Sequence, residues 1–354
     1  MSPPTDASEG EKVVVHLNHR GDSAGIGGEL CRGLVAAGIK AILVEPKAHG
    51  ASRGRRLSIL FIPVRAFDLA RTIVAIRRVR PSLVHVHNAR HAIVAPFCGV
   101  PYVVHCHGTD IRGVRPGKGW GRVLKPILDR AALVLVSTFD LLEDARGFAP
   151  GARYLPNPVD VDLFARPVDA PPPERDVLVG VSLKAVKGPE LITAVARGIK
   201  AQRPSTTFTV VDLDGDASAE LARSLGADTK LVPRTTRDAL PGLLHNHRVA
   251  IGQMYLGALG VYELECLAAE VPVVMSARWN RRFEEPAPII DGDTAAELTP
   301  RALKPLIDED DRRARADAGV AWVRKWHGPE QVIHQLLTYY REVSGRSDTA
   351  ATGR

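Results

Sequence analysis

Short apolar runs rich in β-branched residues alternate with stretches of helical periodicity along nearly the whole chain, and they do so in two separate series. The first opens with VVVHL at 13–17, crosses a polar glycine-containing loop and enters GGELCRGLVAA at 27–37, where Leu30, Leu34 and Ala37 fall at helical spacing. Gly38 then ends the helix and IKAILV at 39–44 reads as the next strand. A strand returned to its neighbour through a helix is the unit of a parallel sheet. The rhythm predicts helices over 66–79, 89–97 and 120–131 and strands over 83–86, 101–106 and 132–136. A second series follows, with strands at 176–181, 207–212, 229–232, 248–252 and 271–275 and helices at 188–200, 217–225, 237–244 and 260–269. Alternation at this length implies an α/β fold of two Rossmann-like, doubly wound domains facing across a cleft.

A chain of 354 residues exceeds the size at which one core usually stops growing, in keeping with two domains. The segment 156–175 carries six prolines and no period. The expected organisation is a disordered N-terminus at 1–11, an N-terminal domain at 12–167, a linker at 168–175 and a C-terminal domain at 176–326. A helix at 327–345 is expected to pack back on the N-domain, before a disordered tail at 346–354. No run of eighteen apolar residues is present, and the N-terminus lacks the basic-then-apolar order of a signal peptide. Cys31, Cys98, Cys106 and Cys266 show no C-x-x-C spacing and read as reduced, structural thiols. These features point to a cytoplasmic protein. The net charge of +7 favours anionic ligands only weakly, and no nucleic-acid partner is expected. Arg53, Arg55, Arg56, Arg77, Arg78 and Arg80 form either a solvated face or a peripheral contact with the inner membrane surface.

In open α/β sheets ligands bind beyond the carboxyl ends of strands, so the loops there carry the candidate sites. The first, His19 to Gly28, offers Gly25, Gly27 and Gly28 for close backbone approach and a helix N-terminus for an anion or hydroxyl. The second, HCHGTD at 105–110, places His105, His107 and Asp110 after a strand. Two histidines in alternation suit zinc, but no third ligand lies at metal spacing, so sugar recognition is expected and a metal is not. The third, SLKAVKG at 182–188, aims Lys184 and Lys187 and the start of a helix at a diphosphate. The fourth, Tyr255 to Pro272, enters a helix carrying Glu263 and Glu265. Two residues apart on a helix, those carboxylates face different ways, and only one can accept ribose hydroxyls.

Six segments, RPSLVHVH at 80–87, VVHCHGTD at 103–110, YLPNPVDVDLF at 154–164, Lys187-Gly188, ELECLAAEVPVV at 263–274 and WVRKWHGPEQVI at 322–333, resemble those of the retaining glycosyltransferases of family 4, in order and at similar spacing. The resemblance implies the GT-B fold, with the acceptor on the N-domain and a nucleoside-diphosphate sugar (UDP-, GDP- or dTDP-linked) on the C-domain, and no required cofactor. It implies catalytic roles for His107 near the transferred sugar and Lys187 on the diphosphate, and donor-ribose binding by Glu265. Gly25, Gly27, Gly28, Lys184, Gly257, Ala258, Leu259 and Gly260 complete the donor side, with His105 and Asp110 on the acceptor side. Two positions depart from the pattern: Gly257 stands where most members carry a glutamate, and Ser182 where they carry an arginine. The implied activity is hexose transfer with retention to a small molecule, natural product, glycan or lipid. The alternatives are a non-catalytic nucleotide-sugar-binding protein and a GT-B sugar-nucleotide epimerase.

Overall fold

The computed structural model describes residues 13–18, 25–46 and 62–351. The segment expected at 1–11, residues 19–24 of the first glycine loop, Arg53, Arg55, Arg56 and residues 352–354 lie outside the described residues. The chain divides into two units, one comprising the residues up to Pro158 together with those from Pro329, the other Val159–Gly328.

The first unit runs β1 (Val13–Leu17), α1 (Ile26–Ala36), β2 (Lys40–Val44), α2 (Ile62–Val79), β3 (Leu83–His87), β4 (Tyr102–Cys106), α3 (Trp120–Asp129), β5 (Leu133–Val136), α4 (Leu142–Arg146) and β6 (Arg153–Tyr154). The segment expected as a helix at 89–97 is a 3-10 helix, opened by Asn88, whose side chain accepts from Arg90 N–H, and holding Pro96. All strands are parallel in the order β2-β1-β3-β4-β5-β6. One sheet face is a conventional apolar core, with Val15, Leu17, Val84, Val86, Val104, Cys106, Val134 and Val136 packed together. Strands covered on both faces need no polar alternation, which is why β3 and β4 are buried throughout.

The second unit holds α5 (Val161–Phe164), β7 (Arg175–Val179), α6 (Pro189–Gln202), β8 (Phe208–Asp212), α7 (Asp216–Ser224), β9 (Lys230–Pro233), α8 (Leu240–His245), β10 (His247–Ile251), α9 (Val261–Ala268), β11 (Val273–Met275), β12 (Ile290–Asp291), α10 (Ala295–Ile307) and α11 (Glu309–His327). Its parallel sheet has the order β12-β11-β10-β7-β8-β9. The chain returns to the first unit with α12 (Pro329–Ala351), whose Ile333 lies where a side chain on Gly33 of α1 would project.

Two boundaries differ from those expected. The change of unit falls at Pro158, not at 168–175, because Val159, Val161 and Phe164 are buried in the core of the second unit. Its entry is fixed locally too, since Asp160 caps α5 by accepting from Leu163 N–H. At the other end the helix continues to Ala351, past the expected start of the tail at 346, with no proline to stop it. All four cysteines are free and buried. No helix among the described residues is long and apolar enough to cross a membrane.

Candidate active site

In each unit the strand order reverses at one place, between β1 and β3 in the first and between β7 and β10 in the second. Loops leaving neighbouring strands there diverge and open a crevice at the carboxyl ends. Every loop singled out in the sequence leaves one of these four strands or the adjoining β4.

In the first unit the sheet face opposite the apolar core carries a rail of imidazoles. Register brings His16 of β1 beside His85 of β3, and His87 of β3 beside His105 of β4, all four fully or almost fully buried. His16 Nδ1 lies 3.0 Å from His87 Nε2, and His87 Nδ1 lies 3.1 Å from His107 Nε2. At the far end the Tyr340 hydroxyl of α12 sits 2.6 Å from His85 Nδ1 and 3.3 Å from His16 Nε2. Each ring can give one hydrogen and take one, so the orientation of His107 is tied through His87 and His16 to Tyr340. Burial lowers the pKa of His16 to about 3 and holds His85, His87 and His105 well below the ordinary histidine value, with neighbouring imidazoles adding to the effect on the last three. These rings are neutral at pH 7.

Two residues of this loop expected on the acceptor side are buried. His105 is fully buried beneath the sheet face and presents nothing to an acceptor. Asp110 is 1% exposed and its carboxylate is occupied by backbone, accepting from Ala89 N–H at 2.7 Å, Gly108 N–H at 2.8 Å and His107 N–H at 3.2 Å. It ties the loop after β4 to the 3-10 helix and fixes the backbone of His107. Half-buried His107 alone of the trio reaches the surface of the loop. The histidines weighed as a zinc pair were His105 and His107, whereas the three that come together are His85, His87 and His105, each offering a nitrogen within 4.8 Å of the others. Gly25 begins α1 with no side-chain cap, and a side chain on Gly27 would strike Asn18 at 2.8 Å, whereas Gly28 has room. Arg77, Arg78 and Arg80 are exposed, the first two in the last turn of α2, where positive charge complements the helix dipole.

In the second unit the loops after β7 and β10 are joined, because Met254 N–H donates to Lys187 O at 2.8 Å. Gly188, at φ +76°, makes this contact feasible: a side chain there would come within 3.0–3.1 Å of Met254 and Tyr255. Gly188 opens α6, which has Pro189 in its first turn and no side-chain cap, so its leading N–H groups face outward. Lys184 is 74% exposed and only 3.9 Å from Asp214, which also accepts from Ser182 Oγ at 3.1 Å and Leu183 N–H at 2.6 Å. Ser182 is thus engaged in holding this loop to the one after β8.

The two glutamates have different partners. Glu263 is committed to the fold, accepting from Gly260 N–H and Gln253 N–H at 2.9 Å each. Glu265 pairs with the side chain of Arg237 at 2.8 Å. Ala258, Leu259 and Gly260 line the approach to α9, the first two buried and Ala258 O taking the Gln253 amide. At Gly257, φ is +72° and the Arg278 side chain covers the position, its Cγ 2.4 Å from where a Cβ would stand. Arg278 is held by Tyr255 O and Leu256 O, and Trp279 N–H donates to Gly257 O.

Residues 28–163 match Glycosyltransferase Family 4. That match spans the first unit from within α1 to β6 and runs on into α5. No curated protein sequence matches the chain. Among solved structures, sucrose-phosphate synthase from Thermosynechococcus elongatus superposes with a TM-score of 0.70 at 18% identity, over 95% of this chain and 100% of that one. HepE from Anabaena, in complex with UDP and glucose, gives 0.68 at 16% identity over 94% and 100%. AviGT4, involved in avilamycin A biosynthesis, gives 0.62 at 16% identity over 94% and 98%. The fold is therefore GT-B, and family match and fold agree on a glycosyltransferase. The family 4 segments legible in the sequence did not include Arg237, Asp214, Arg278, His16 or Tyr340. Only the alternation of His85 and His87 in LVHVH hinted at a shared face.

Proposed function

We propose that this glycosyltransferase transfers a hexose, with retention, from a nucleoside-diphosphate sugar to a hydroxyl or related nucleophile. One observation carries the reading: the loops after β7 and β10 meet at the strand-order reversal and bring Lys187, the open N-terminus of α6 and Glu265 to the same end of one sheet. Charge develops on the departing diphosphate, and Lys187, Lys184 and the α6 N–H groups are the donors that would stabilise it. That donor set requires no metal on the diphosphate. Glu265 would accept ribose hydroxyls while holding Arg237, since a carboxylate takes up to about four hydrogen bonds. His107, oriented through His87, would position the transferred sugar. HepE has been crystallised with UDP-glucose, which favours a UDP-sugar as the first donor to try.

The test is release of nucleoside diphosphate from a panel of UDP-, GDP- and dTDP-sugars, with product anomers assigned by NMR. Glu265→Ala should lower kcat/KM at least about tenfold through loss of a charge-assisted hydrogen bond. Tight nucleotide binding with neither transfer nor donor hydrolysis would instead establish the non-catalytic binding protein that Gly257 suggests. Interconversion of the donor sugar without any acceptor would establish an epimerase.

A further inference from the structure

The imidazole rail contains more nitrogen than the protein satisfies. His105 is fully buried and neither Nδ1 nor Nε2 has a hydrogen-bond partner, and His85 Nε2 is likewise buried and unpartnered. A buried polar atom left unpaired gives up its hydration for nothing, so three in one cluster call for an explanation. We propose that His85, His87 and His105 form a binding site for a divalent transition-metal ion of the zinc type, set in the sheet face of the first unit.

The chemistry of the donor set fits. Three neutral imidazoles select zinc, nickel, cobalt or copper over magnesium or calcium, which prefer oxygen. The three nitrogens lie within 4.8 Å of one another, and a tetrahedral zinc with bonds of about 2.0–2.1 Å needs them roughly 3.4 Å apart, so binding requires the stacked His85 and His87 rings, 19° apart in plane, to turn toward a common point. His85 is already oriented as ligands are: its Nδ1 is held by the Tyr340 hydroxyl, which leaves Nε2 to bind. His87 joins by giving up one of its two imidazole hydrogen bonds. Among the described residues no carboxylate joins the trio, so the fourth position calls for water or hydroxide. His107, whose ring centroid is 4.2 Å from that of His105, marks the route to solvent.

Tag-free full-length protein, produced in zinc-supplemented medium and desalted without chelator, should retain one zinc per chain by elemental analysis. Cobalt in its place should give the intense visible bands of a tetrahedral site. His105→Gln should abolish retention. Tyr340→Phe should weaken it about 10–100-fold by freeing His85. His334→Gln, at an exposed position on α12, should change nothing. Wild-type protein that retains no zinc and shows no such cobalt bands overturns the proposal, whatever the variants do. So does zinc retained equally by wild type, His105→Gln and His85→Asn.

Discussion

At the scale of single residues, the departure at position 257 is built into the backbone rather than a simple loss of a carboxylate. A left-handed φ disfavours any side chain there, and the space a Cβ would use is filled by Arg278. Restoring the usual family residue with Gly257→Glu should therefore cost about 1–3 kcal/mol of stability and leave transfer no faster. Thermal melts and initial rates check this, and Arg278→Ala placed on top should recover part of the stability. A Gly257→Glu protein that melts at the wild-type temperature and turns over faster would show that the loop is free to readjust. The departure itself was legible in the sequence. Its cause was not, because Arg278 lies twenty-one residues on and only the fold lays it over Gly257. The difference between Glu263 and Glu265 was half legible: spacing showed that they face different ways, and Glu263, at the third residue after the helix-opening Gly260, occupies the place from which a glutamate reaches back to helix-start N–H groups.

At the scale of elements, the alternation of strand and helix was read correctly wherever periodicity was uninterrupted, and missed where punctuation misled. Helix α10 contains Pro300 and Pro305, which read as breakers, yet its start is written plainly as Thr294 with Glu297 three residues on, a reciprocal capping pair. The histidine rail was invisible for another reason. Each strand shows its histidines, but only register places His16 against His85 and His87 against His105. A simpler buried histidine joins α8 to β10: His247 donates from Nδ1 to Leu243 O at 2.7 Å, and its pKa is lowered by burial to about 4. Above pH 6.5 the ring is neutral folded and unfolded alike, whereas between pH 6.5 and about 4 the unfolded chain binds a proton that the folded chain refuses. Stability should fall as pH falls through that window, by about 1.4 kcal/mol per pH unit from this residue. Urea titrations at pH 7 and pH 5, followed by tryptophan fluorescence, should show His247→Leu losing about 2 kcal/mol less than wild type on acidification. Three of the four tryptophans, Trp279, Trp322 and Trp326, lie in the second unit and report its unfolding. Equal losses in both proteins would mean that His247 takes up its proton while folded.

At the scale of the whole molecule, composition suggested a linker at 168–175, and the chain changes unit at Pro158. Prolines at 156 and 158 and again at 167–173 were indistinguishable as punctuation, but the short apolar turn between them decides the matter by burial. Phe164 is fully buried in the core of the second unit, His245 shares a 2.9 Å hydrogen bond with Phe164 O, and Arg237 lies over its ring. The second unit is continuous in sequence and has two apolar clusters of its own. A fragment spanning 159–328 should therefore fold cooperatively. One beginning at 176, as a linker at 168–175 would suggest, loses Phe164 and should be less stable by at least about 3 kcal/mol, the usual cost of removing a buried phenylalanine. The first unit makes the opposite case. It is completed only by α12, which supplies Tyr340 to the histidine rail and buries Val332, Ile333 and Leu336. Residues 1–158 alone would leave that face of the sheet open, with its imidazoles able to protonate, and should remain unfolded or aggregate unless 329–351 is restored in trans or by a linker. Circular dichroism melts of the three fragments give the answer. If the fragments beginning at 159 and at 176 melt together, the turn around Phe164 is not part of the second core, and the joint belongs where the prolines first placed it.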